Sequence, residues 1–263
     1  MKVLAIVNQK GGVGKTTTAV TLAHGLALYG CQVLLVDLDA QGNVADSLGL
    51  EKSDGVYRLL VEGPPGSRVV TFSGRQGLHV VLGDKRTMEA REILAGRSFR
   101  EYALQNTLGE VGDGYDVVVL DAAPGADVLQ VSALVAATHF LVPVALDHLA
   151  VVGVMDMLST AASLGQERRL GGEFLGVLPT MWERTTRESQ AQFEGLAAEF
   201  GEWVWPPIPL DVKAREAPAH GKTLYEYADG LSCRALDGVD VDGGRLVGGY
   251  RQVLSKLVGV LGL

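Results

Sequence analysis

The sequence predicts an α/β fold with a doubly wound, mostly parallel sheet flanked by helices. Short, continuous apolar runs, typical of parallel strands buried on both faces, alternate with segments whose apolar residues have helical spacing. A glycine-rich loop stands between the first predicted strand and the first predicted helix. In folds of this class, ligands bind at the carboxyl ends of the strands.

The predicted elements alternate along the whole chain. Strands are expected at Val3–Val7, Gln32–Asp39, Tyr115–Asp121, Thr138–Val144 and Glu173–Thr180. Helices are expected at Thr17–Gly30, Ala126–Ala137, Leu149–Leu164 and Thr186–Phe200. Two segments rich in glycine or proline, Glu62–Arg68 and Gly230–Gly249, are predicted loops. Neither is long enough for an interdomain linker, so residues 1–263 are predicted to form a single domain.

Composition and charge narrow the class of protein. The 263-residue chain has 47% hydrophobic and 21% charged residues, which is typical of a soluble globular protein. Its net charge of −8 disfavours diffuse attraction to nucleic acid or anionic membranes, so such binding requires a local basic patch or a dimer that concentrates one. The two cysteines, Cys31 and Cys233, lack metal-site spacing, which favours a reduced, cytoplasmic setting. No apolar run approaches the ~18 residues that a membrane span needs.

The string GGVGKTT lies between a predicted strand and a predicted helix, which is the context of a phosphate-binding loop. Glycines allow successive backbone N–H groups to curl around phosphate oxygens, and the helix N-terminus adds its positive dipole. We expect Lys15 to contact the β- and γ-phosphates and Thr16 to place its hydroxyl on Mg²⁺. The predicted nucleotide-binding residues of the loop are Gly11, Gly12, Val13, Gly14, Lys15, Thr16 and Thr17.

Lys10 is surplus to the general form of this loop. Where that form has its first glycine, five residues before Gly14, the chain has Gln9, and Lys10 follows. The string KGGVGKTT instead resembles the deviant Walker A motif of the ParA/MinD superfamily of P-loop ATPases. The resemblance implies that Lys10 reaches across a nucleotide-sandwich dimer to the partner's phosphates. Such a cation supplied in trans accelerates phosphoryl transfer by ~10³–10⁵ in other systems.

Three aspartates end two of the predicted strands. Asp37 and Asp39 close the second, where two acids can hold Mg²⁺ through water and orient an attacking water. Their segment resembles DxDPQGN of ParA-type proteins, with Ala40 in place of proline. This likeness assigns Asp39 to the hydrolytic water and Asp37 to support of the metal. Asp121 ends an apolar strand in the Walker B pattern and is the predicted outer-shell magnesium carboxylate, although DAAPG replaces the usual DxPP.

Two later strings, GVLPTMWERTTRESQ and PPIPLDVKAREAPAHGKTLYEY, resemble the carboxy-terminal parts of ParA. The likeness places Thr180 and Met181 in the adenine pocket. It also predicts that the loop Ile208–Val212, with Pro209 and Asp211, covers the base. The string EAPAHGK favours ParA over MinD within the superfamily.

ParA proteins bind DNA without sequence preference when ATP-dimerised, so the resemblance also implies a basic DNA-binding face. Lys213 matches a basic position of the family, and other cations lie nearby in sequence: Arg184, Arg187, Arg215 and Lys222. Such binding rests on phosphate contacts and is steeply salt-sensitive. The alternative is that these are scattered solubilising charges. No motif for base readout occurs, so sequence specificity is not expected.

The end of the chain is predicted to be an amphipathic helix over residues 245–262. A MinD-like membrane tail has this pattern with more lysine and arginine, whereas only Arg245, Arg251 and Lys256 are cationic here, so core packing is favoured. The preceding LDGVDVDGG lacks the spacing of a calcium loop and is interpreted as an acidic turn, within an insertion over 230–249 relative to most ParA chains.

The sequence thus predicts a ParA-like, Mg²⁺-dependent ATPase, slow and stimulated by a ParB-like partner. It is expected to form an ATP-dependent homodimer on DNA that segregates a plasmid, chromosome or other cargo, in the cytoplasm and on the nucleoid when ATP-bound. The alternatives are a MinD-like membrane-surface ATPase and a nucleotide-gated binding module with negligible turnover. A reductase of the nitrogenase iron-protein type needs cluster-bridging cysteines, and none lies between Asp37 and Cys233.

Overall fold

The computed structural model describes residues 1–63, 69–167, 170–241 and 245–263. Its centre is a seven-stranded sheet in the order β3-β4-β2-β5-β1-β6-β7. The strands are β1 (Lys2–Ile6), β2 (Val33–Asp37), β3 (Thr71–Arg75), β4 (Leu78–Val81), β5 (Val117–Asp121), β6 (His139–Ala145) and β7 (Glu173–Thr180). All neighbours pair in parallel except β3 and β4, which are antiparallel at one edge. This confirms the predicted fold class and the five predicted strands.

Helices cover both faces of the sheet. The longer ones are α1 (Lys15–Leu28), α4 (Arg86–Ala95), α5 (Ala103–Val111), α6 (Val128–Ala136), α7 (Ala150–Gln166), α8 (Arg187–Phe200) and α12 (Tyr250–Leu261). Short helices are α2 (Asn43–Leu48), α3 (Gly55–Tyr57), α9 (Lys213–Ala219), α10 (Leu224–Tyr227) and α11 (Arg234–Asp237). The four predicted helices from Thr17–Gly30 to Thr186–Phe200 therefore form, with ends displaced by at most two residues.

Two hydrophobic clusters divide the core, one on each face of the sheet. One contains buried side chains of α4, α5, α6 and α7, and the other contains those of α1, α11 and α12. Strands β1, β2 and β5 contribute alternate residues to both clusters, which explains why their sequences are apolar without interruption. The strand ends that carry Asp37 and Asp121 are consequently fixed by packing on two sides.

The edge hairpin β3–β4 was not predicted from the sequence. β3 exposes most of its residues and pairs only with β4 in the described chain, and β4 is four residues long. Neither strand therefore has a long apolar run. The predicted loop Glu62–Arg68 begins at the end of a π-helical turn, Arg58–Glu62, and its residues 64–68 lie outside the described residues.

The prediction for the last helix was wrong at its start. Residues 246 and 247 form a two-residue strand, β9 (Leu246–Val247), which pairs antiparallel with β8 (Val239–Asp240). Gly248 and Gly249 follow with φ of 80° and 84°, a left-handed conformation that ends the strand before α12 begins at Tyr250. The predicted loop Gly230–Gly249 thus contains α11 and a small ribbon, and its residues 242–244 lie outside the described residues.

Among the residues that the structure describes, no helix combines the length and the apolarity that crossing a bilayer requires.

Candidate nucleotide-binding site

The glycine-rich loop joins β1 to α1 at the carboxyl edge of the sheet. Gly12 and Gly14 have φ of 75° and 84°, so both need the left-handed freedom of glycine, and Gly14 is the N-cap of α1. Behind the loop, Thr180 at the end of β7 donates its hydroxyl to the Val13 carbonyl at 2.9 Å. The loop therefore presents backbone N–H groups and a helix N-terminus, the arrangement that binds phosphate.

Lys15 lies inside this loop. Its side chain is 7% exposed and its ammonium donates to the Lys10 carbonyl at 2.9 Å. Burial lowers the pKa of Lys15, an effect that the charges of Asp121 and Asp39 oppose. The buried ammonium is therefore positioned for an anion, and phosphate oxygens would restore the solvation that it lost.

Asp121 faces the same space from the end of β5. It is fully buried, and neither carboxylate oxygen has a hydrogen-bond partner in the described chain. Burial raises its pKa to about 7, although the nearby Thr16 hydroxyl and the Lys15 charge both lower it. A buried carboxylate without partners is costly. Asp121 and the Thr16 hydroxyl therefore fit a hydrated divalent cation, whose waters would supply the missing donors.

Asp37 and Asp39 lie next to Asp121 on the neighbouring strand. Asp37 pairs in register with Asp121 and is also fully buried, and burial followed by the Asp121 charge raises its pKa well above the usual range. Its carboxylate accepts from the N–H groups of Asp39 at 3.1 Å and Val44 at 3.3 Å, which ties β2 to the start of α2. Asp39 is less buried and accepts from Gln41 N–H, so it lies at the open side of the site.

Lys10 points away from its own loop. Its ammonium lies 2.6 Å from one carboxylate oxygen of Asp147 and 2.8 Å from the other, with a third of the side chain exposed. Burial opposes ionisation of Asp147, but Lys10 and the Leu149 N–H outweigh it and lower the Asp147 pKa. The two lysines of the motif therefore have different environments, Lys15 inside the loop and Lys10 at the surface.

Several residues that hold the loop were not predicted from the sequence. Asn8 is buried, donates to the Pro143 carbonyl at 2.7 Å and accepts from Lys10 N–H. Gln9 donates to the Thr160 hydroxyl of α7 at 2.8 Å. Their partners lie more than 130 residues away in sequence. Only the polar pair Asn8-Gln9, where an apolar strand ends, offered a signal for this role.

The predicted base-binding residues come together at the end of β7. Met181 follows Thr180 with φ of 56°, and the loop with Pro209 runs alongside through hydrogen bonds from Trp182 N–H to the Ile208 carbonyl and from Leu210 N–H to the Trp182 carbonyl. Asp211, also predicted to cover the base, holds the loop in place. It is buried, and its two oxygens accept backbone N–H groups of Lys213 and Arg234, so its carboxylate fixes the loop.

The predicted DNA-binding cations lie on the loop after β7 and around α9. Arg184, Arg187, Arg215 and Lys222 are exposed, and Lys213 is half-buried. Within the described ranges none of the five forms an ion pair, whereas Arg58, Arg75, Arg86, Arg91 and Arg251 all do. Their charges are therefore available to an external anion.

Comparison with known proteins gives concordant results. A family model described as an AAA domain matches residues 1–170. The chromosome-partitioning ATPase Soj of Thermus thermophilus is 42% identical over 228 residues, which cover 86% of this chain and 88% of that protein. The sporulation initiation inhibitor protein Soj of Bacillus subtilis is 34% identical over 230 residues, with 86% and 91% coverage.

Among solved structures, an ATP complex of Cyanothece McdA superposes with a TM-score of 0.84 over 100% of this chain and 97% of that chain. At 22% identity this likeness shows the fold. The loop with two lysines, the paired aspartates and the Soj relatives together place this chain in the ParA/Soj family of partitioning ATPases, P-loop proteins with a deviant Walker A motif.

Proposed function

We propose that this chain is a Mg²⁺-dependent ATPase whose site is completed by a second copy of itself. In this proposal ATP builds a sandwich dimer, the dimer binds DNA without sequence preference, and hydrolysis dissolves it. The cycle drives segregation or positioning of a plasmid, chromosome or other cargo. The observation that carries the proposal is the surface position of Lys10, which is held by Asp147 rather than by its own phosphate loop.

Each subunit contributes most of the chemistry. The loop N–H groups and Lys15 would bind the β- and γ-phosphates, and Thr16, Asp121 and Asp37 would hold the cation directly or through water. A divalent cation held by these residues would supply Lewis-acid stabilisation of the phosphate charge. Asp39, at the open side of the site, would orient the attacking water. Deprotonation of Asp121 accompanies metal binding, because a divalent charge favours the carboxylate.

The surface around Lys10 suits contact with a second copy. Leu149, Val152 and Met155 follow at three-residue spacing along the start of α7 and are 43%, 54% and 47% exposed. Gln9 links the phosphate loop to the same helix through Thr160. An exposed apolar stripe beside a motif lysine is consistent with a face that becomes buried in a dimer. Lys10 would then exchange Asp147 for the phosphates of the partner subunit.

The basic residues after β7 and around α9 support DNA as the second ligand. Their unpaired charges contrast with the acidic total of the chain, and two subunits would double the number of phosphate contacts. A ParB-like protein is the expected activator, and a cytoplasmic, nucleoid-associated location would follow from ATP-dependent DNA binding. Slow basal turnover would follow from a site that is complete only in the dimer.

The alternative of a membrane-surface ATPase loses its main support. The apolar side chains of α12 that would enter a bilayer are buried against α1: Tyr250 is 1% exposed, Val253 and Leu257 are 0%, and Leu261 is 2%. A membrane tail needs that face free.

Gel-shift and vesicle-sedimentation assays with ATP, ADP or no nucleotide test the proposal. We expect DNA binding with ATP only, stronger binding in Asp39→Ala because ATP persists, and no binding to anionic vesicles. Asp113→Ala is the matched control, since Asp113 is exposed in the turn before β5, at the edge of the sheet opposite the nucleotide site. Binding of vesicles without DNA, or equal DNA binding with ADP, would contradict the proposal.

A further inference from the structure

A basic residue of the 230–249 segment lies beside the predicted DNA-binding face. Asp211 connects the two parts of the chain: its Oδ1 accepts Lys213 N–H at 3.0 Å and its Oδ2 accepts Arg234 N–H at 2.6 Å. The backbones of Lys213 and Arg234 are therefore separated by the width of one carboxylate, although the residues are 21 positions apart. Because Asp211 is 6% exposed, this connection is fixed within the fold.

The charge of Arg234 is not neutralised by its surroundings. Its side chain is exposed and forms no ion pair with any residue that the structure describes. Asp237, three residues further along the chain, is paired with Arg251 at 2.9 Å, and Asp211 accepts the backbone N–H of Arg234 rather than its guanidinium. Arg234 thus extends the group of free cations that begins with Lys213 and Arg215.

We infer that Arg234 is an additional contact to DNA phosphates, supplied by the 230–249 segment to the face formed by α9. The inference rests on the proposed function and deepens it, because it assigns part of the DNA surface to a segment outside the nucleotide site. An arginine guanidinium suits this role through bidentate hydrogen bonds to phosphate oxygens.

Duplex DNA fits this surface better than lipid. Val212 and Leu231 are exposed, but they lie in separate turns, Val212 before α9 and Leu231 between α10 and α11. Segments that lie in a membrane interface present a long apolar helical face, and α9 has seven residues, of which Ala217 is buried. Phosphate contact by cations alone needs no such face.

The test compares Arg234→Ala, Arg234→Lys and Arg97→Ala with the wild type in ATP-dependent binding to a non-specific duplex across a salt series. Arg97 is the matched control, an exposed arginine that follows α4 on the opposite face of the sheet. For Arg234→Ala we expect the slope of log Kd against log salt to fall by about one per protomer, and affinity at 0.1 M salt to fall about eightfold per lost contact. Arg234→Lys keeps the charge and should keep the slope.

A slope for Arg234→Ala equal to that of the wild type overturns the inference and leaves the proposed function standing. The same proteins are also sedimented with anionic vesicles: if the wild type binds them and Arg234→Ala loses that binding while DNA binding is unchanged, the inference is overturned in favour of a lipid surface. A wild type that fails to bind DNA with ATP overturns both. Matching thermal denaturation of the variants and wild type excludes misfolding as the reason for a changed slope.

Discussion

Single residues of the nucleotide site are distinguished by how strongly the fold desolvates them. Lys15, Asp37 and Asp121 are each less than 10% exposed. Burial lowers the pKa of Lys15 and raises the pKa values of Asp37 and Asp121, which in each case favours the neutral form. In the absence of ligand, loss of charge therefore relieves the cost of burying these groups. Phosphate and a divalent cation reverse this preference, so ligand binding, proton release and stability are linked at this site.

This linkage predicts an unusual pH dependence for the metal-free protein. Because the folded state raises the Asp121 pKa from 3.8 to about 7, the folded state binds the proton more tightly than the unfolded chain. The resulting stabilisation is complete below pH 3.8 and is lost as pH rises toward 7, with a magnitude on the order of 4 kcal/mol. Asp121→Asn removes this contribution to the change of unfolding free energy with pH.

Denaturant titrations between pH 5 and 8 with a chelator measure this difference. We expect the stability of wild type relative to Asp121→Asn to fall as pH rises through this range. A difference that does not change with pH would show that Asp121 titrates in the same way in both states.

Asp147→Asn tests the environment of Lys10 in the single subunit. The ion pair is partly exposed, so its loss should cost less than about 1 kcal/mol of stability. If Lys10 leaves Asp147 on dimerisation, the substitution destabilises only the monomer and increases the ATP-dependent dimer at a given protein concentration. Asp113→Asn, the same change at an exposed turn before β5 and so at the opposite edge of the sheet, is the control. Weaker dimerisation of Asp147→Asn by sedimentation velocity would contradict this role.

The residues of the site differ in how well the sequence predicts them. Lys15, Thr16 and Asp121 belong to local patterns in which strand, turn and helix are adjacent, so their positions follow from a few residues. Asp147 is 137 residues from Lys10, and no local pattern links the two. The role of Asp211 could not be derived for a similar reason, because its partner Arg234 belongs to a segment that is held by contacts with α12 and Pro207.

At the level of elements, α12 links the end of the chain to the nucleotide site. It packs on α1, and the buried Tyr250 hydroxyl lies 2.9 Å from the Thr18 hydroxyl in the first turn after the phosphate loop. Pro207 accepts from Gly249 N–H at 2.8 Å, so the residues that lead into α12 also hold the loop that runs past Met181. The C-terminal helix therefore supports both the start of α1, which follows the phosphate loop, and the predicted base-binding loop.

Tyr250→Phe removes this hydrogen bond while it keeps the packing of the ring. We expect a loss of about 1 kcal/mol and a decrease in Tm of about 2–4 °C, measured by calorimetry. Thr18→Val should have a similar effect. The double variant should lose less than the sum of the two, because both single variants remove the same bond. Strict additivity would show that the hydroxyls act independently.

Element prediction succeeded where one physical signal dominated. Strands β1, β2 and β5 are buried on both faces, and their apolar runs identify them directly. The β3–β4 hairpin lacks that signal because it lies at an edge. The start of α12 was placed too early because Leu246 fits the helical stripe, while the ribbon with β8 and two glycines in left-handed conformation decide otherwise.

For the whole molecule, the proposed functions occupy different surfaces of the same chain. Lys10, Asp147 and the exposed start of α7 form the proposed dimer face, and α9 with Arg234 forms the proposed DNA face. The candidate nucleotide site lies between β1, β5 and β7, next to elements that lead to both surfaces. We therefore expect nucleotide binding at this site to affect both surfaces.

The central claim is that ATP completes the site by joining two subunits. Sedimentation velocity of wild type, Lys10→Ala and Asp39→Ala with ATP, ADP or no nucleotide tests it most directly. We expect the wild type to dimerise with ATP only. The dimer of Asp39→Ala should persist because hydrolysis is blocked. Lys10→Ala should bind ATP but no longer couple dimerisation to hydrolysis. A wild type that stays monomeric with ATP and Mg²⁺ at every protein concentration would contradict the account.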